Sequence, residues 1–275
     1  MQWYKNLLVF LPIIFVGRLF SLPLLKATAL GFVSLCLCSS FNYIVNDIVD
    51  RRKDRAHPEK RTRPIAAGRI PVIAALVWGA ILLLAGLWLA FALNKVFFYS
   101  VGFIVVLTQL YSFILKKVAF ADILAVAVNF VVRAVSGAFI IGVTISPWLV
   151  LCTFFFALFL LAGKRYADLA FLGSRAAMHK ETLRVYTKDV ANALMIVATA
   201  LLIAAYGAFA LLGTHPQLAY SIPFALFVIF RYFSLIYVGA PIARHPELVF
   251  RDWKMLVGML LWATATFIAL YVYPR

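Results

Sequence analysis

Acid is scarce in this chain. Only 10 of its 275 residues are Asp or Glu, and charged residues of both signs make up 13%, about half of the roughly 25% usual in soluble domains. Hydrophobic residues reach 65%, against about 45–50% in such domains. No soluble fold of this size hides that much apolar surface from water, which excludes ordinary soluble enzymes and disordered regulators. Cysteine is scarce as well. Cys36, Cys38 and Cys152 all lie in apolar runs without metal-ligand spacing. They read as small core residues, which excludes a disulfide scaffold. No cleavable leader is expected, because the first apolar run leads into further runs rather than a small-residue cleavage site.

Long apolar runs are what the chain does have. A spanning helix needs about 20 mostly apolar residues. Nine such runs are expected, over roughly 5–24, 28–48, 71–93, 96–115, 121–142, 147–163, 190–212, 219–239 and 254–273. The fold class expected is an all-α polytopic membrane protein, one domain over 1–275. The first run is interrupted by Pro12 and Arg18, and only Asn94 and Lys95 separate the third from the fourth, as in a tight hairpin.

Base outnumbers acid 26 to 10, a formal net charge of +16. In a soluble protein that excess suggests nucleic acid; between membrane spans it suggests cytoplasmic loops lying on anionic lipid, and no nucleic acid is expected. Eight basic residues fall in 51–69, six in 164–189, and Lys116, Lys117, Arg244, Arg251 and Lys254 in other even-numbered connections. The odd-numbered connections carry almost none, so all the basic loops share one side, the cytoplasmic one. Seven of the ten acids also lie in 46–69 or 164–189. Topology does not ask for those carboxylates. Two loops that concentrate both signs look like a site.

The second run leads into Asn46, Asp47, Asp50 and Asp54. At about 100° per residue these four share an arc of roughly 100° on a helix. Clustered carboxylates repel unless a cation holds them, and an all-oxygen set suits Mg2+. The alternative is a solvated helix end whose acids pair with nearby arginines. Next come Arg55, His57, Lys60, Arg61 and Arg63, closing with Ala66-Ala67-Gly68-Arg69. Cations beside carboxylate-bound Mg2+ are the means by which proteins grip a diphosphate.

The motif N-D-x-x-D-x-x-x-D followed by H-P-x-K-R-x-R-P-I-A-A-G resembles the UbiA-type intramembrane prenyltransferase superfamily, over essentially the whole chain. The resemblance implies a nine-transmembrane-helix bundle with a central lipid-accessible cavity, Mg2+ on the Asp motif, and cleavage of a diphosphate substrate. Members usually carry a second motif, D-x-x-x-D, after the sixth span. Here that region reads Lys164-Arg165-Tyr166-Ala-Asp168, with one acid, and continues through Arg175, His179 and Lys180. Together with Lys5-Asn6 in the opening segment, this looks like the decaprenyl-phosphate phosphoribosyltransferase branch. That branch implies phosphoribosyl pyrophosphate as donor and a polyprenyl phosphate lipid as acceptor, in cell-wall arabinan precursor synthesis. On this reading Lys60, Arg61 and Arg63 neutralise the leaving group, and Lys5, Lys164 or Arg165 hold the lipid phosphate.

Two charges inside spans belong with these. Arg133 lies in the stripe Asn129-x-x-x-Arg133-x-x-x-Gly137, and Arg231 lies near the middle of the eighth run. A mid-membrane Arg costs at least about 2.5 kcal/mol and faces the bundle interior; pairing with a neighbouring acid or helix end is the alternative for each. Tyr111 and Lys116 lie where they could reach the same site, and Asp122 is available to pair Lys116. Two rivals remain at this point. Prenyl transfer from a prenyl diphosphate to an aromatic acceptor is opposed by the missing second acid motif. A transporter should show internal repeats or paired broken helices, and neither is found. Nothing in the sequence opposes a homo-oligomer.

Overall fold

The computed structural model describes residues 3–56, 60–173 and 181–273, and every regular element among them is helical. That follows from the composition, because in lipid a backbone must satisfy its own polar groups and a helix does so within one segment. In chain order the helices are α1 (Trp3–Phe15), α2 (Leu22–Val49), α3 (Arg51–Ala56), α4 (Val72–Leu93), α5 (Lys95–Phe113), α6 (Ala121–Ile141), α7 (Pro147–Leu172), α8 (Lys188–Leu212), α9 (Pro216–Tyr237) and α10 (Trp253–Val272). Eight are long and apolar enough to cross a membrane, and α1 is a shorter apolar helix. The chain is an integral membrane protein.

Three boundaries differ from expectation, each for a visible reason. The expected first span, 5–24, stops at Phe15, and Gly17 follows at φ +72°. Eight residues of α1 are 3-10 helix and five are α-helix, so α1 rises about 24 Å, short of the roughly 30 Å hydrocarbon layer. The second span begins at Leu22 rather than near 28 and runs 28 residues, about 42 Å. That is longer than the roughly 30 Å hydrocarbon layer requires. The sixth continues past the expected 163 to Leu172 over 26 residues, so Lys164–Asp168 lie on the helix, not in a loop. The expected hairpin at Asn94 is present, with its Oδ1 accepting from the N–H groups of Val96 (2.7 Å) and Phe97 (3.1 Å).

Packing divides the chain into two compact units. The first comprises 1–14, 18–113 and 132–144. Its core is Val9, Leu35, Cys38, Ala90, Phe97, Val101 and Ile104. Small residues bring its helices close. Gly86 of α4 lies against Cys38 and Ser34 of α2, and the Ser34 hydroxyl donates to the Gly86 carbonyl at 2.8 Å. Gly137 of α6 receives the Val9 carbonyl of α1. On α4, Trp78 and Trp88 are exposed, as lipid-facing aromatics are.

The second unit comprises 15–17, 114–131 and 145–275. Phe159, Ala162, Met195, Ala198, Tyr232, Ile236 and Met255 form its main core, with α7, α8, α9 and α10 all contributing. A second cluster joins Leu149, Cys152, Phe209, Leu218 and Leu270. All three cysteines are buried and unpaired, as expected of small core residues.

The close approach at Gly86 is directly testable. A Cβ there would meet the Cys38 sulfur at 2.6 Å and the Ser34 carbonyl oxygen at 3.0 Å, whereas one at Gly102 meets nothing within 4 Å. Gly86→Val is expected to lower the melting temperature in detergent by several degrees, and Gly102→Ala to leave it unchanged or slightly raised. Equal melting of Gly86→Val and the wild type would remove this contact from the account.

Candidate active site

Only Asp50 separates α2 from α3, and helical bonding continues through it. The Asp50 N–H donates to the Asn46 carbonyl at 2.9 Å, and the Asp54 N–H to the Asp50 carbonyl at 2.8 Å. Asp47 and Asp54, seven residues or two turns apart, therefore face the same way. Both meet one nitrogen. Arg63 Nη1 donates to Asp47 Oδ1 at 2.8 Å and to Asp54 Oδ2 at 2.9 Å. Asp54 is buried, while Asp47 and Arg63 are partly open.

The loop that delivers Arg63 is built rather than loose. Arg55 Nε donates to the Ala66 carbonyl at 2.9 Å. Ala67 N–H reaches the Arg63 carbonyl and Arg69 N–H the Pro64 carbonyl, and Gly68 takes φ +76° at the turn. Ile65 and Ala66 are buried and anchor it. Of the two sequence readings, the structure shows the pairing of these acids with an arginine of the basic loop.

This donor set also fits a hard divalent cation. Two carboxylate oxygens converge on one cationic point, with Asn46 and Asp50 on the adjoining face. Among the described residues no three His, Cys, Asp or Glu side chains gather into a metal site of their own. A metal here would need further oxygens from water, an amide or a phosphate, which is how Mg2+ is commonly held.

Deeper in the first unit, Arg133 is buried and donates to Asn6 Oδ1 and, at 3.2 Å, to Ser39 Oγ. Asn6 Nδ2 in turn donates to Cys36 Sγ at 3.2 Å. Arg133 faces the interior, as the stripe predicts. It joins Asn6, so two residues expected to bind substrate hold each other, and α1 docks on α6 there. Sequence reading overlooked a further polar pair, Asn42 of α2 and Gln109 of α5, whose side chains bond at 2.5 Å. Amides in apolar runs were the available signal.

In the second unit one member of the basic segment, Arg165, is neutralised. Arg165 is buried and bonds Asp122 Oδ2 at 2.9 Å, while the Tyr186 hydroxyl donates to Asp122 Oδ1 at 2.9 Å. Burial, and then the adjacent Asp122 carboxylate, push the Tyr186 hydroxyl above its ordinary pKa, so it remains a neutral donor. Asp168 pairs Arg244 at 3.2 Å and stands 3.8 Å from Arg165. The Tyr166 ring packs on Tyr237 and carries Lys188 over its face. Lys164 makes no such bond among the described residues, which leaves it available to an anion where Arg165 is committed.

Arg231 corrects an expectation. It is partly exposed and bidentate to Asp252, at 2.6 and 3.1 Å. Asp252 caps α10 by accepting from the Met255 N–H at 2.7 Å. The hydrogen bond from Arg231 is the main cause holding the Asp252 carboxyl below its usual range. Because Asp252 stands just before α10, Arg231 ties α9 to the first turn of α10, the acid-pairing alternative. Of the remaining candidates, Lys5 lies beside Asn6 on α1, Tyr111 on the last turns of α5, Lys116 in the turn Leu115–Lys117, and Asn129 one turn before Arg133 on α6. Arg61 lies in the turn Lys60–Thr62 and is exposed. Arg175, His179 and Lys180 lie outside the described residues, as does the side chain of Lys60.

Removing one member of the buried pair strands the other. Asp122→Ala is expected to cost about 3–5 kcal/mol, and Tyr186→Phe about 1 kcal/mol, read as melting temperature in detergent. An Asp122→Ala protein as stable as the wild type would overturn the pairing.

Comparison with known proteins bears on the chain as a whole. The model of the UbiA prenyltransferase family matches residues 7–250. The decaprenyl-phosphate phosphoribosyltransferase of Mycolicibacterium smegmatis is 33% identical over 213 residues, 76% of this chain and 67% of that protein. The protein of the same name from Corynebacterium glutamicum is 31% identical over 99% of this chain and 85% of its own length. The structure of a UbiA homolog from Archaeoglobus fulgidus bound to GPP and Mg2+ superposes with a TM-score of 0.70 at 19% identity, covering 97% of this chain and 99% of that one; it establishes likeness of fold. The chain belongs to the UbiA prenyltransferase family.

Proposed function

We propose that this protein transfers 5-phosphoribose from phosphoribosyl pyrophosphate to a polyprenyl phosphate of the decaprenyl type, releasing pyrophosphate, as a step toward cell-wall arabinan precursors. The observation that carries the reading is the convergence of Asp47 and Asp54 on the Arg63 guanidinium at the end of α2. That arrangement offers one place for a divalent cation and one cation for a diphosphate. The relatives named decaprenyl-phosphate phosphoribosyltransferase over most of the chain support the same choice.

Asn46, Asp47, Asp50 and Asp54 would hold Mg2+, which when bound supplies Lewis-acid neutralisation of diphosphate oxygens. Arg63 meets both carboxylates through one terminal nitrogen, and its other N–H groups would meet the diphosphate. Lys60, Arg61 and Arg55 flank the same loop. The C1–O bond to pyrophosphate breaks as the bond from the lipid phosphate oxygen to C1 forms. Positive charge developing on the ribose is stabilised by the surrounding anionic oxygens. The attacking phosphate is already anionic, so no general base is needed. Lys164 is the member of the 164–168 segment we assign to an anionic substrate, because Arg165 is balanced by Asp122.

The basic connections support a reading in which this end faces the cytoplasm at a bacterial-type plasma membrane, against anionic lipid. There a water-soluble donor and a lipid acceptor can meet. Detergent-purified protein with Mg2+, phosphoribosyl pyrophosphate and decaprenyl phosphate is expected to release pyrophosphate and carry ribose label into extracted lipid. Chelation should abolish turnover, and Asp47→Asn or Asp50→Ala should lower it at least about a hundredfold, the scale of a lost electrostatic catalytic contact. Absence of labelled lipid, with turnover of a prenyl diphosphate and an aromatic acid, would replace this reading with prenyl transfer.

A further inference from the structure

One face of α2 is polar well below its acidic end. Ser39, Asn42, Asn46 and Asp50 follow one another at helical spacing, and Ser39 and Asn42 are buried. Ser39 is occupied with Arg133 and Asn6. Asn42 is engaged only halfway. Gln109 Nε2 of α5 donates to Asn42 Oδ1 at 2.5 Å, but Asn42 Nδ2 and Gln109 Oε1 are buried without a partner among the described residues. Two side-chain amides can satisfy each other with a reciprocal pair of bonds. These make a single bond and leave one donor and one acceptor. Turning both amides over changes which residue supplies each, but still leaves one of each kind.

A tie between helices has no use for such a remainder, since unpaired buried polar groups are destabilising. A vicinal diol does have a use for it. Each hydroxyl both donates and accepts, so two neighbouring hydroxyls match one open N–H and one open carbonyl oxygen. The depth also agrees. Asn42 lies one turn, about 6 Å, below Asn46 on the same helix face, where the sugar of a donor would lie if its diphosphate rested at Asp47 and Asp54. An isoprenyl chain in that place would bury both amides against hydrocarbon. We infer that the Asn42–Gln109 pair is the subsite for the ribose 2- and 3-hydroxyls, and that it selects a ribosyl over a prenyl donor. The inference rests on the phosphoribosyl transfer proposed above and assigns the part of that site that reads the sugar.

The test compares phosphoribosyl pyrophosphate with its 2,3-dideoxy analogue on the wild type, Asn42→Leu and Gln109→Met. The wild type is expected to prefer the hydroxylated donor in kcat/KM. Each variant should lose about ten- to a hundredfold with that donor, keep the dideoxy analogue within about threefold, and so drive the ratio of the two donors down. The effect of the hydroxyls on the reactivity of C1 is common to all three proteins and cancels in this comparison. Gln109 is only half-buried, so Gln109→Met carries the test if Asn42→Leu fails to accumulate. A donor ratio the same in the variants as in the wild type, with both donors falling together or neither falling, would mean that the pair ties helices or holds water, and would overturn the subsite alone. Wild-type protein that turns over neither donor would overturn the proposed transfer, and the subsite with it.

Discussion

An ion inside an apolar bundle must have a partner within reach, because the surrounding medium offers none. That constraint organises this protein more than any propensity does. Asp122 is buried, and it is held between Arg165 and Tyr186. Those two contacts join the start of α6, the last turns of α7 and the segment leading into α8. Arg133 meets the same requirement with neutral oxygens, from Asn6 and Ser39, and in doing so fastens α1. At the end of α2 the constraint is relaxed by partial exposure. There Arg63 balances two carboxylates and remains within reach of anything that arrives from outside.

These three sites differ in how finally their charges are settled. Asp122 and Arg165 are closed to solvent, and a substrate would gain little from pulling them apart. Asp47 and Arg63 are open, and both are groups that a diphosphate with its metal would compete for. Burial therefore separates the closed Asp122–Arg165 pair from the open Asp47–Arg63 contact within a single list of basic and acidic residues. Arg231 with Asp252 is a third kind, a partly exposed tie whose carboxylate also closes the first turn of α10.

The spans were legible because hydrocarbon thickness imposes a length that a linear sequence displays. Eight of the nine runs are helices long enough to cross. The exception, 5–24, contained its own warning in Pro12 and Arg18, although the break falls at Gly17. The Asp motif was legible too, since helical spacing alone puts Asp47 and Asp54 on one side. Pairings across helices were not. Asp122 finds Arg165 43 residues away, and Asp47 finds Arg63 16 residues on. No local period encodes such distances. The amide pair at Asn42 and Gln109 escaped for a related reason: each residue alone is an unremarkable interruption in an apolar run, and only their meeting gives them meaning.

Gly137 shows what such arrangements mean for reading variants of this protein. Its missing side chain is the space in which the Val9 carbonyl rests, and one turn away along the two helices Asn6 meets Arg133. A methyl group at 137 would lift α1 and draw Asn6 off the guanidinium. A mutational scan would therefore flag this glycine as strongly as a charged residue, although what it contributes is room.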